Sequence, residues 1–274
     1  MTRGALGRPG GYLRTAALSA ASLTTDGPLF LLDYLLRFLR VALLLSLWRV
    51  VMAHRGPVSG ISLDALLTYT LITEVFAEPL ACRTQLDVSI WEGSIAQRLL
   101  RPLPLVGHYA AETFGRWALS FCLFSLPLLA AAPLLGVDPL PGGERTGLAM
   151  GARTLAFCTS LVLGVTIGLA LEFLFGGLMA RYDLSVWDLQ GLRGALQGLA
   201  SGALLPLAIL PWGLGPMLKW LPFAGMASAP LRIYTATGPV SWLLAMQLGW
   251  GVALWLLTAW VWRANRERLV CYGG

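Results

Sequence analysis

Long apolar stretches decide what this chain of 274 residues can fold into. A helix needs about 20 mostly apolar residues to cross a bilayer, and backbone groups inside lipid must satisfy their own hydrogen bonds. Six stretches meet this requirement, at about 33–53, 63–82, 109–135, 150–179, 193–211 and 240–262. The sequence therefore predicts an all-α membrane protein with six transmembrane helices. We expect one transmembrane domain, 29–262, between an N-terminal tail, 1–28, and a C-terminal tail, 263–274.

Composition supports a membrane location. The chain is 57% hydrophobic and 12% charged, whereas soluble domains contain about 25% charged residues. The net charge of +6 comes from basic residues scattered between the apolar stretches, which is typical of charges that set membrane topology. We therefore expect membrane lipid around the chain and no binding of nucleic acid.

The distribution of basic residues predicts the orientation. If the N-terminus is cytosolic, thirteen Arg and Lys residues fall on the cytosolic side of the membrane and four on the outer side. The four outer ones are Arg55, Arg145, Lys219 and Arg232. Because cytosolic loops are enriched in basic residues, both termini are predicted to be cytosolic.

Two connections between the spans carry information of their own. Residues 211–239 are apolar but interrupted by Pro and Gly, which predicts short re-entrant or interfacial helices on the outer side. Residues 90–104, on the cytosolic side, are amphipathic: as a helix, Trp91, Ile95 and Leu99 would share one face. Such a helix needs a cover for its apolar face, either the lipid surface or a partner subunit.

Motifs for catalysis are absent from the sequence. A P-loop requires Gly-Lys-Ser/Thr, and the only lysine, Lys219, follows Leu218. The sequence also contains neither HExxH nor GxSxG. We therefore expect no enzymatic activity, no catalytic residues, and no metal or cofactor bound by this chain.

Three acidic residues, Glu74, Glu78 and Glu172, fall inside predicted spans. Charged groups in a span are costly and often functional. They can line a translocation path or contact a cationic substrate. They can also be structural, either paired with arginines such as Arg83, Arg116 or Arg181 or reaching to the membrane interface. The sequence leaves both interpretations open.

Several short motifs together resemble one transporter family. They are Glu92-Gly93 and Leu99-Leu100-Arg101-Pro102 after the second span, Leu221-Pro222-Phe223-Ala224 and Pro230-Leu231-Arg232-Ile233-Tyr234 before the last, then Gln247, Trp250 and the final Gly273-Gly274. In order and spacing, they resemble the six-span permeases of ABC-2-type transporters, from about Leu32 onwards.

This resemblance implies an architecture and partners. It implies a cytosolic coupling helix at about 85–101 that docks on a separate ATPase, two ATPase subunits per transporter, and a second permease that is identical or paralogous. ATP and Mg²⁺ would be bound by the ATPase. The implied coupling residues are Leu86, Ile90, Trp91, Glu92, Gly93, Ile95, Arg98, Leu99, Leu100 and Arg101.

The implied function is export of a small or amphipathic compound, such as a drug or natural product, across a bacterial cytoplasmic membrane. Two other readings stay open. One is a secondary transporter driven by an ion gradient through Glu74, Glu78 or Glu172; the other is a scaffold or membrane enzyme that does not transport. The coupling segment also has an alternative role, as an interfacial helix lying on lipid.

Overall fold

The structure is a computed structural model that describes residues 9–25, 29–55, 60–100, 103–140, 147–182 and 184–265. Within these residues, every regular element is a helix. The first half contains α1 (Pro9–Thr25), α2 (Leu29–Arg55), α3 (Leu63–Val75), α4 (Ala77–Ala81), α5 (Leu86–Trp91), α6 (Ile95–Leu99), α7 (Leu105–Ser120) and α8 (Leu126–Ala131). The second half contains α9 (Gly147–Tyr182), α10 (Val186–Ala200), α11 (Leu214–Leu218), α12 (Pro222–Met226), α13 (Ser228–Tyr234) and α14 (Val240–Ala264).

Three helices among the described residues are long and apolar enough to cross a membrane. They are α9, α14 and the continuous helix Leu105–Ala131, which joins α7 to α8 through a π-helical turn at Phe121–Ser125. Pro127 follows this turn; it lacks an amide hydrogen and disfavours a regular helix before it. These three helices correspond to the predicted third, fourth and sixth spans.

The other three predicted spans form helices that are shorter or more polar. The first corresponds to α2, which carries Arg37, Arg40 and Arg49. The second is divided at Phe76 into α3 and α4. For the fifth, the predicted bounds 193–211 differ from the helix, which begins at Val186 and ends at Ala200. Residues beyond Ala200 leave the helix, and Gly202 takes a φ of 79°.

The long helix α9 forms the centre of the bundle. α14 runs parallel to it, because Ser160 bonds to Gln247 near one end and Gly177 bonds to Asn265 near the other. α10 runs antiparallel to the α3–α4 segment: Arg193 contacts Cys82, whereas Gln197 contacts Ala81. The bundle thus has an end that holds α5 and α6, and an opposite end that holds α11, α12 and α13.

The N-terminal segment, predicted as a tail, contains a helix, because residues 9–25 form α1. α1 packs along α7. A Cβ atom added at Gly115 of α7 would overlap the Ala16 carbonyl, and one at Gly107 would lie 2.8 Å from the Tyr12 ring. With Ala111, these glycines form a stripe of small residues that lets two helix backbones approach closely.

Candidate functional site

The predicted coupling helix, 85–101, is divided into two short helices. α5 ends at Trp91, and Gly93 takes a φ of 72° before α6 begins at Ile95. A non-glycine residue pays about 1–2 kcal/mol for this left-handed conformation, so Gly93 is suited to the turn. The predicted coupling helix is therefore two helices, because the turn at Gly93 resets the helical register.

Three of the predicted contact residues are buried in this arrangement. Leu86, Ile90 and Ile95 are fully buried and pack with Tyr109 and Phe173. The absence of a side chain at Gly176 makes room for two of them: a Cβ atom there would lie 3.0 Å from Leu86 and 3.1 Å from Ile90. The expectation that these three residues form an exposed face with Trp91 and Leu99 is therefore wrong.

The remaining apolar residues of this segment face outwards. The exposed fraction is 58% for Trp91, 45% for Leu99 and 87% for Leu100. Glu92, at the end of α5, is also exposed. We call these four residues the docking patch. Large exposed side chains held on a buried base are typical of a protein–protein contact.

Internal bonds hold the base of the docking patch in place. Arg98 of α6 donates to Glu112 of α7 over 2.6 Å, and its guanidinium lies 4.7 Å from the centre of the Tyr109 ring. Asp87 of α5 accepts a 2.7 Å hydrogen bond from Gln190 of α10. Arg98, one of the implied coupling residues, therefore pairs within the chain; Arg101 lies outside the described residues.

A buried ion pair lies at the same end of the bundle. Glu172 of α9 is 3% exposed and pairs with Arg193 of α10. The Glu172 carboxylate also accepts a 2.9 Å hydrogen bond from the Thr84 amide, and Arg193 donates to the Cys82 carbonyl over 3.1 Å. This pair thus joins α9 and α10 to the connection between α4 and α5.

Glu74 and Glu78 also form ion pairs. Glu74 pairs with Arg40, and Glu78 lies 2.9 Å from Arg37, which also contacts Asp33 at 3.1 Å. All three glutamates thus have arginine partners, although none pairs with the arginines expected from the sequence. The partner arginines lie on α2 and α10. Spacing along the chain does not show which helices pack together, so it did not predict these pairs.

Sequence reasoning missed four polar residues that fix this region: Asp87, Glu112, Gln190 and Arg193. Arg193 begins the predicted span 193–211, where a basic residue is typical of a charge that sets topology. A basic residue in one predicted span and an acidic residue in another were the available signal for the pair. The sequence offers no comparable signal for Glu112 or Gln190.

Comparisons with known proteins identify the family. No curated protein and no solved structure matches this chain. The model of the family described as "ABC-2 family transporter protein" matches residues 38–273, which includes the docking patch, all three glutamates and every helix after α2. α1 precedes the matched region. The chain therefore belongs to the ABC-2 transporter family, a family of membrane permeases.

Proposed function

We propose that this chain is the permease subunit of an ATP-driven exporter, with six spans and both termini in the cytosol. It would work in a bacterial cytoplasmic membrane and bind two separate ABC ATPase subunits, which hold ATP and Mg²⁺. A second permease, identical or paralogous, would complete the pathway. The cargo would be a small or amphipathic compound of the drug or natural-product class.

The helix directions agree with six spans. α3–α4, α9 and α14 run from the α11–α13 end towards the α5–α6 end, and α10 runs the opposite way. This alternation is what the second, fourth, fifth and sixth spans require. The counted arginines favour the cytosol for the α5–α6 end.

The observation that carries the proposal is the docking patch. Trp91, Leu99 and Leu100 are exposed where the chain's own core already holds the base of α5 and α6. A helix resting on lipid would use its whole apolar face, but here Leu86, Ile90 and Ile95 are occupied inside the protein. The outward residues thus fit a groove on an ATPase.

The same contacts provide a route for force from the ATPase to the spans. A displacement of α5 would act on α9 through Leu86 and Ile90, which fill the space beside Gly176. It would also act on α10 through Asp87 and Gln190, which are joined by a hydrogen bond. Closure of the ATPases on ATP would in this way move two spans together.

The experiment is co-purification with candidate ABC ATPases encoded near this gene. Trp91→Asp and Leu100→Asp should each reduce the recovered ATPase at least about tenfold, because a charge would enter an apolar contact worth about 2 kcal/mol or more. Ala264→Asp, at the exposed end of α14, is the matched control and should have no effect. Ile90→Asp should instead prevent accumulation of folded chain, because Ile90 is fully buried.

Equal recovery of ATPase with wild-type and Trp91→Asp would contradict the docking proposal. The alternative, a secondary transporter using Glu74, Glu78 or Glu172, predicts transport from an ion gradient without any ATPase. Gradient-driven uptake in vesicles containing only this chain would support that alternative.

A further inference from the structure

Two half-open cavities of different chemistry lie side by side near α4 and α7. One is apolar, with a volume of about 460 Å³, and the other is lined by charged residues, with a volume of about 450 Å³. Glu78 and Trp117 line both cavities. Each volume lies within the range of about 300–1,000 Å³ that holds a drug-sized ligand.

The apolar cavity lies between α3–α4, α7 with its π-helical turn, and α9. Phe76, Phe114, Phe121, Leu161 and Val165 contribute to its walls. Phe121 opens the π-helical turn, and such turns are frequent at functional sites. This cavity suits the apolar body of a ligand.

The charged cavity contains acids that already have partners. Arg37 bridges Asp33 and Glu78. Asp87 accepts hydrogen bonds from Gln190 and from the Val88 amide. The acidic groups in this cavity are therefore stabilised without a ligand.

Two cations in the charged cavity differ from these acids. Arg83 follows the left-handed end of α4 at Cys82, and Arg116 lies on α7, next to Trp117. Neither arginine forms an ion pair or a side-chain hydrogen bond with any residue that the structure describes. Arg83 is exposed and Arg116 is half-buried, so both can be reached from outside the chain. Since a guanidinium binds carboxylate or phosphate with two parallel hydrogen bonds, an anionic group is the ligand that suits them.

We propose that the joined cavities bind an amphiphile with one anionic group and an apolar body. The anionic group contacts Arg83 and Arg116, and the apolar body lies against Phe114, Phe121 and Leu161. The claim that this amphiphile is a transported cargo rests on the proposed function. Binding itself requires only this chain.

The amphiphile has two possible sources, the anionic lipid of the surrounding bilayer and a compound from the cytosol. Both present a phosphate or carboxylate joined to an apolar chain. On the proposed topology, the charged cavity lies towards the cytosolic side and the apolar cavity lies deeper. An amphiphile would thus bind in the orientation of an inner-leaflet lipid.

The test uses purified chain in phosphatidylcholine nanodiscs without any ATPase. The probe is a fatty acid that carries a photoreactive diazirine in its chain, and its methyl ester is the uncharged comparison. After irradiation, mass spectrometry gives the fraction of adducts on 114–121 and 161–166 as the probe is titrated. Adducts on the exposed leucines of α2, such as Leu43 and Leu47, measure non-specific labelling from the bilayer.

We expect saturable labelling of the cavity segments by the acid. The double variant Arg83→Gln/Arg116→Gln should weaken it about tenfold or more, since hydrogen bonds to charged groups contribute about 1.5–3 kcal/mol. Labelling by the ester should change less than about twofold. Arg263→Gln, an exposed arginine at the end of α14, is the charge control and should behave as wild type.

A second variant tests the apolar cavity separately. Val162→Trp places a large ring in a wall of that cavity and should reduce labelling by acid and ester alike. Leu155→Trp, two turns earlier on α9 and similarly exposed, is the control outside the wall. Normal elution and thermal midpoints in all variants establish that the chain is folded.

The proposal is overturned if labelling does not saturate, if acid and ester respond equally to the arginine variants, or if Leu155→Trp acts like Val162→Trp. Adding phosphatidylglycerol to the nanodiscs separates the sources: competition identifies lipid as the occupant, and its absence identifies a cytosolic amphiphile. Either result requires the site. Because no ATPase is present, saturable binding can be found even if co-purification with an ATPase fails, and the two proposals are thus tested independently.

Discussion

At the scale of single residues, the Glu172–Arg193 pair is the feature whose two side chains depend most on each other. Both side chains are largely buried, and their remaining bonds go to backbone groups at the start of the coupling segment. Removing one partner of a buried pair leaves an uncompensated charge, whereas replacing both by apolar residues is often tolerated. The two side chains are therefore strongly coupled.

A double-mutant cycle tests this coupling. Glu172→Leu and Arg193→Met should each lower the free energy of unfolding by about 3–5 kcal/mol, and the double variant should lose much less than the sum. The measurement is SDS-induced or thermal unfolding in detergent. Losses that simply add would show that the two charges act independently and would contradict the pairing.

At the scale of elements, uninterrupted apolar sequence was the most reliable guide. The predicted spans 150–179 and 240–262 correspond closely to Gly147–Tyr182 and Val240–Ala264. The prediction for 193–211 failed because apolar residues continue past Ala200, while the backbone leaves the helix near Gly202. An apolar composition shows that a segment can be buried in lipid or in a protein core. It does not show where the backbone turns.

The sequence predicted where the coupling segment lies in the chain, but not which of its side chains are buried and which are exposed. The coupling segment was recognised from its amphipathic pattern, but its buried and exposed residues were assigned to one face. One residue, Gly93, contributes most to this difference, because its left-handed conformation ends α5 and lets α6 begin in a new register that buries Ile95 in the same cluster as Ile90. A single sequence does not reveal which glycine adopts a positive φ.

The packing of α1 on α7 gives a prediction at the same scale. Gly115→Ala should lower the free energy of unfolding by about 1–3 kcal/mol, because the added methyl group would overlap the Ala16 carbonyl. Gly151→Ala, in open space on α9, is the control and should raise it by about 0.5–1 kcal/mol. Thermal unfolding of the purified variants provides the comparison.

Removal of α1 sharpens this test. In a chain that begins at Gly27, the destabilising effect of Gly115→Ala should disappear, because the clashing carbonyl is gone. If Gly115→Ala costs the same with and without α1, the close contact between α1 and α7 is wrong.

At the scale of the whole molecule, the docking patch and the joined cavities occupy connected parts of one bundle. α5 carries the patch residue Trp91, and its Asp87 also lines the charged cavity. A movement of α5 would therefore change the shape of that cavity. This arrangement would allow an ATPase bound to the patch to affect a ligand bound to the cavity.

The most direct test of the central claim is photocross-linking from Trp91 in intact cells of the native host. p-Benzoylphenylalanine in place of Trp91 should form an adduct whose peptides belong to an ABC ATPase. The same substitution at Trp212, which is 91% exposed at the opposite end of the bundle, should form none. Absence of an ATPase adduct at Trp91, or equal ATPase adducts at both positions, would contradict the account.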